Sequence, residues 1–221
     1  MRIAVIHTTP ATIASLGELI RKEIPGAEVF NLLDDSILPD MNAGRGVDKV
    51  RLRWLEYARI AQENGAQAIL SACSTVGEFA EEANEMLDVP VYRIDEAMAC
   101  KAVQRGGTIC VFATLSSTLE PTARLLQRLA KEQAASCQIH SVLVEGAYAA
   151  LAAGDRALHD QKIADALAQK GAEANTIVLA QASMASAADG LEEQLHQKVL
   201  TSPLLGIQKL RDDLARLEAE Q

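Results

Sequence analysis

Short apolar, β-branched runs alternate with longer amphipathic runs along the whole of this 221-residue chain. Alternation of that kind folds as parallel sheets covered on both faces by helices, because parallel strands need crossover connections and the crossovers supply the helices. The runs predict strands at Arg2–His7, 27–33, 66–72, 89–94, 108–113, 137–144 and 176–180. Between them helices are predicted over 10–24, 47–64, 75–87, 95–105, 117–133, 147–172 with a break at Gly154-Asp155, 183–199 and 205–220. Thr9 before Pro10 reads as a helix cap with proline at the first helical position. Thr75 to Glu78 and Ser117 to Glu120 match capping boxes, and Asp95 reads as a further cap. The polar stretch 34–46 reads as a loop, and Ser202-Pro203 as a break before the last helix.

A constant offset of 108 aligns residues 68–75 with 176–183, each a buried strand, a small polar turn and a helix start. The repeat predicts two similar α/β lobes, 1–94 plus 204–221 and 95–203. Chance similarity between two strand–helix units stays open.

Composition narrows the partners. A net charge of −9 argues against nucleic acid and against an anionic membrane surface, since both call for basic patches. The longest apolar runs fall short of a membrane span, and the opening MRIAVIHTTP reads as a first strand rather than a signal peptide. Cys73, Cys100, Cys110 and Cys137 are widely spaced, with no CxxC and no zinc-type Cys/His cluster. Free thiols in a cytoplasmic protein are expected, with no metal and no cofactor. A homo-oligomer stays open.

In open parallel sheets, ligands bind beyond the carboxyl ends of the strands. The residues expected there are His7, Thr8 and Thr9; Cys73, Ser74 and Thr75; Thr114 and Ser117; and Gln181 and Ser183. Hydroxyls at helix N-termini make a pocket suited to a carboxylate. Cys73 sits at a strand-to-helix turn, where the helix dipole favours thiolate, and a thiolate can move a proton or attack carbon. The competing reading makes Cys73 a small packing residue beside two caps. Cys110 and Cys100 read as core, and Cys137 has no assigned role. His7 is either an acid or base near Cys73 or a satisfied histidine, the second being favoured. His140, His159 and His196 read as structural or exposed. Asp34, Asp35 and Asp40 read as a solvated loop, and Glu145 as a minor ligand-orienting candidate.

Four segments in order resemble the aspartate/glutamate/hydantoin racemase superfamily. They are ACSTVG at 72–77, ATLSS at 113–117, VEGAYAALAAGD at 144–155 and VLAQASM at 178–184. The resemblance implies two pseudo-symmetric lobes, each a parallel sheet flanked by helices, with the active site in the inter-lobe cleft. It implies a cofactor-independent isomerase in which two cysteines move protons on opposite faces of a small carboxylate. The first cysteine matches Cys73, but the second position holds Gln181. An amide exchanges no proton near neutral pH, though it can hydrogen-bond an enolate or carboxylate oxygen. Two-cysteine amino-acid racemisation is therefore not expected. Maleate isomerases, which resemble this layout and use the first cysteine as a nucleophile, and arylmalonate decarboxylases, which keep one cysteine at the second position, mark the range of single-cysteine chemistry. The alternatives are a decarboxylase of a malonate-like or keto acid, or a non-catalytic carboxylate-sensing module on the same fold.

Overall fold

The computed structural model describes residues 1–188, 191, 193–196 and 198–219; the side chains of 194, 196 and 218 are outside the description. In chain order the elements are β1 (Arg2–His7), α1 (Ile13–Glu23), β2 (Glu28–Leu33), α2 (Ile37–Asn42), α3 (Val47–Glu63), β3 (Ala68–Ser71), α4 (Gly77–Met86), β4 (Val91–Arg93), α5 (Glu96–Arg105), β5 (Gly107–Ala113), α6 (Ser116–Glu132), β6 (Cys137–Leu143), α7 (Ala147–Ala152), α8 (Arg156–Lys170), β7 (Thr176–Leu179), α9 (Glu193–His196), β8 (Val199–Thr201) and α10 (Ser202–Ala219). Single 3-10 turns stand at Pro10–Thr12 and Ser74–Val76, and a longer 3-10 segment at Ala182–Ala188.

Two four-stranded sheets form, with orders β2-β1-β3-β4 and β6-β5-β7-β8, and every pairing is parallel. The α/β class with two parallel sheets flanked by helices is thus as the alternation implied. The chain divides into two compact units, residues 1–95 with 203–221, and residues 96–202. In each unit the inner strands are the buried ones: β3 and β7 are buried throughout, while edge strands β2 and β6 alternate partly buried with exposed positions. That is the pattern of a sheet covered on both faces at its centre.

In the first unit, Ala4, Ile6 and Ile69 pack against Trp54, Ala58, Phe79 and Ala83 of α3 and α4. The opposite face, Ile3, Val5, Ala68 and Leu70, packs against Leu16 and Ile20 of α1 and Ile207, Leu210 and Leu214 of α10. Gly206 lets α10 settle closely, since a Cβ there would stand 2.3 Å from the Ile94 carbonyl oxygen. In the second unit, Cys110, Phe112, Ile177 and Leu179 pack against Ile163 and Leu167 of α8, so Cys110 is a core residue as expected.

Several local expectations change. The segment 34–46 is not a free loop: it holds α2, with Ile37 and Leu38 buried. Asp34 ties it to α3 by accepting from the Tyr57 hydroxyl at 3.0 Å and pairing with Arg53 at 2.7 Å. Burial pushes the Asp34 carboxyl up, but hydrogen bonds from Ser36 and Tyr57 and the Arg53 charge outweigh it and hold the group below its ordinary value. The helices start near, but not at, the residues the capping boxes mark. Helix α4 begins after a 3-10 turn with Val76 at its N-cap, and α6 begins one residue early with Leu115 there. Ser202-Pro203 does not break the chain but opens α10, a position proline tolerates. The helix expected over 183–199 is replaced by the 3-10 segment, α9 and the short strand β8; residues 189, 190, 192 and 197 and the His196 side chain lie outside the described residues. Among the described residues no helix is long and apolar enough to cross a membrane.

Candidate functional site

The two units repeat one local construction at the carboxyl ends of their central strands. β1 ends at His7, and Thr8 follows; its neighbour β3 ends at Ser71, and Cys73 follows after Ala72. β5 ends at Ala113, and Thr114 follows; its neighbour β7 ends at Leu179, and Gln181 follows after Ala180. The backbone matches as well. Ala72 N donates to Ile6 O at 3.0 Å, and Ala180 N donates to Phe112 O at 2.9 Å. In each unit a threonine after the first strand thus accompanies the residue that leaves the third.

In the first unit Cys73 has extended backbone (φ −134°, ψ 119°) and leads into the Ser74–Val76 turn, whose residues are buried. Thr8, 2% exposed, has a hydroxyl that meets no hydrogen-bond geometry of its own, yet it lies near enough to the sulfur to favour its charged form. Burial nevertheless pushes the Cys73 thiol up, against the pull of the Thr8 and Thr75 hydroxyls and the Thr75 and Val76 backbone N–H groups. The helix-terminus argument predicted the opposite direction. Cys73 keeps some solvent access, but protein crowds its surroundings, and desolvation of a thiolate outweighs a few donors. Burial thus favours the neutral thiol over the thiolate. Iodoacetamide labelling of Cys73, followed by mass spectrometry across a pH series, should accelerate with an inflection above that of a free cysteine. A rate already flat below pH 8 would contradict the shift.

His7 is fully buried. Its Nδ1 meets Thr12 Oγ1 at 3.1 Å and its Nε2 meets Asn31 Oδ1 at 2.9 Å. Burial lowers its pKa, with the Asn31 bond opposing. With both ring nitrogens engaged it is a satisfied histidine, the reading already favoured, and it has no nitrogen free for Cys73. Thr9 serves as the cap of the Pro10–Thr12 turn, accepting from Ala11 N at 3.3 Å. Ser74 and Thr75 are 4% exposed.

In the second unit Gln181 Oε1 accepts from Thr114 N at 2.6 Å and from Thr114 Oγ1 at 2.8 Å. Ser117 lies in the first turn of α6. Ser183 follows in the 3-10 segment, and its carbonyl accepts from Arg156 Nη1 at 3.0 Å. Glu145 is exposed. Two partners went unnoticed in the sequence. Asn31 fixes His7, and Arg156 holds the turn that carries Gln181. Neither stands in a motif, and each is more than twenty residues from what it holds.

Among the described residues no group of three or more His, Cys, Asp or Glu side chains could hold a metal ion. A cavity of about 580 Å³ in the first unit is lined by Met1, Gln67, Leu87, Pro90, Leu214 and neighbours. These residues lie at the amino ends of the strands, away from Cys73, and ligands of parallel sheets bind at the other end.

Comparisons with known proteins agree with this architecture. An allantoin racemase from Klebsiella pneumoniae is 23% identical, with TM-score 0.73 over 99% of this chain and 89% of that one. A glutamate racemase from Bacillus anthracis is 18% identical, with TM-score 0.76 over 97% and 81%. A glutamate racemase from Thermus thermophilus, solved with β-chloro-D-alanine, is 19% identical, with TM-score 0.76 over 99% and 81%. At these identities the likeness is one of fold. No curated protein matches the chain. The model of the Asp/Glu/hydantoin racemase family matches residues 3–210. The chain belongs to the Asp/Glu/hydantoin racemase family.

Proposed function

We propose that this protein is an isomerase-type enzyme that moves a proton to or from a small carboxylate on one face only, without a cofactor. Cys73 is the proton-transfer group, and Gln181 contributes hydrogen bonding rather than proton exchange. The observation that carries the reading is the repeated turn: Thr8 accompanies a thiol in one unit and Thr114 an amide in the other. A thiol can give up and regain a proton; an amide cannot near neutral pH. A neutral thiol suits delivery of a proton to an enolate carbon, which leaves a thiolate held by the Thr8 and Thr75 hydroxyls and two backbone N–H groups. The hydroxyls and helix starts at the strand ends suit a carboxylate, Ser74 and Thr75 in the first unit and Thr114, Ser117 and Ser183 in the second.

The test is incubation with amino acids, dicarboxylates and malonates in deuterated water, followed by proton NMR. Deuterium entry at a carbon next to a carboxylate, without inversion, is the expected result. Aspartate and glutamate should not racemise at a useful rate, and Gln181→Cys should raise α-proton exchange in a substrate that the protein already binds. Efficient racemisation by the unaltered protein would overturn the one-faced reading. Alkene isomerisation or loss of carbon dioxide with no exchange would overturn the proton-transfer role.

A further inference from the structure

A sheet edge leaves a row of backbone N–H and C=O groups without strand partners, and proteins blunt such edges with short strands, charges or proline. The two sheets end on β2, β4, β6 and β8. β4 and β8 have three residues each. β2 has six and opens on an exposed carboxylate, Glu28. β6 has seven, with no Asp, Glu, Lys, Arg, Gly or Pro among them, so it carries none of these guards. Gln138, His140, Ser141 and Leu143 are exposed along it, Leu143 at 41%.

The hydrogen bonds at its two ends show which backbone groups are free. Ser136 O accepts from Gly107 N at 3.3 Å, and Val144 N donates to Ala113 O at 2.8 Å. Along a strand, alternate residues turn their N–H and C=O to the same neighbour. Gln138, His140 and Val142 therefore face β5. Cys137, Ile139, Ser141 and Leu143 turn both groups outward, where they meet no hydrogen-bond partner among the described residues.

We propose that β6 pairs antiparallel with β6 of a second copy of this chain, joining their two sheets about a two-fold axis at His140. In that register Cys137 stands opposite Leu143, and Ile139 opposite Ser141. Every outward residue of each copy then exchanges both of its backbone bonds. A shift of two residues either way leaves one outward residue of each strand unpaired. No carboxylate, ammonium or guanidinium meets its like, and the exposed Leu143 gains a neighbour in Cys137 of the second copy. β2 fails the same test. Glu28 N donates to Met1 O and Asp34 N to His7 O, so its outward residues are Val29, Asn31 and Leu33. The register that pairs those three sets Glu28 against Asp34 of the other copy, and like charges directly opposite are destabilising. The contact at β6 is self-complementary, so it closes at two copies.

Light scattering on a sizing column, in reductant, should give the unaltered protein twice the mass of its chain. Ser141→Pro should halve that mass. The Ser141 N–H points outward, so proline removes no bond to β5, and an edge strand tolerates it there; the ring blocks the pairing with Ile139. His140 lies on the axis, at a pair that exchanges no backbone bonds, where opposed side chains come closest. His140→Cys, oxidised in air, should therefore run as a disulfide-linked dimer on a non-reducing gel. The unaltered protein, with its four free cysteines, should not. Circular dichroism checks the fold of both variants, and if Ser141→Pro does not fold the cross-link decides alone. A monomeric unaltered protein, a dimer that persists in a folded Ser141→Pro, or a folded His140→Cys that stays uncross-linked would each overturn the proposal.

Discussion

Replacing Cys73 with serine is expected to slow deuterium exchange into the substrate by about 10²–10⁴-fold, the usual contribution of a positioned acid or base. Serine has nearly the same shape, and Cys73 has extended backbone that serine adopts readily, so the fold should not change. The hydroxyl, however, is far less acidic than a thiol, and the described groups nearest in the chain do not replace it. His7 is buried with both ring nitrogens engaged. Ser74 and Thr75 offer only hydroxyls of the same low acidity. Cys100→Ser is the control and should leave exchange within about twofold, inside the ±0.5 kcal/mol of an ordinary substitution. Full exchange after Cys73→Ser would mean that the sulfur is a packing atom.

A second large effect is expected behind the same turn. The Arg93 and Asp95 side chains are 3% and 0% exposed, and they pair through Nε–Oδ1 at 2.8 Å and Nη2–Oδ2 at 3.0 Å. Glu81 takes Nη1 at 2.5 Å. The guanidinium lies directly beneath Gly77, the first residue of α4, where a Cβ would stand 2.5 Å from Cζ. Arg93→Met would strand the Asp95 charge without a partner and should cost about 3–5 kcal/mol. Trp54, the single tryptophan, is fully buried in the same unit, so its fluorescence during urea unfolding reports this unit's stability. Adding Asp95→Leu to Arg93→Met should recover most of the loss, because a buried pair replaced as a whole costs far less than a broken one. A midpoint for Arg93→Met that moves by less than about 1 kcal/mol would show the pair to be wetter than its burial implies.

The elements readable from sequence were those whose signal is local. β1, β3, β5 and β7 stand out as unbroken apolar runs because both of their faces are covered. β8 has only three residues and merged with the helical pattern before it. α2 was hidden by Pro39 and the acidic residues around it, and its apolar contacts are only Ile37, Leu38 and the partly buried Met41. The capping pattern at Thr75 and Ser117 placed the helix starts to within one or two residues, the usual uncertainty of a helix end. The same division holds at the site. The turn at Cys73 follows from its position after a buried strand. The thiol's pKa depends on crowding summed over several elements, and no local pattern encodes that sum. The pairing of Thr114 with Gln181 joins residues 67 apart in sequence, so only the neighbouring placement of β5 and β7 makes it.

The placement of α10 bears on the order in which a ribosome can let this chain fold. Residues 96–202 emerge as one uninterrupted stretch and carry a complete sheet with its own helices. The stretch that emerges first does not. Its sheet face of Ile3, Val5, Ala68 and Leu70 stays partly uncovered until Ile207, Leu210 and Leu214 have been synthesised. Domains made during synthesis usually mature in the order of their first residues. Here the later-starting unit can close first, and the earlier one must keep an apolar surface out of trouble for more than a hundred further residues.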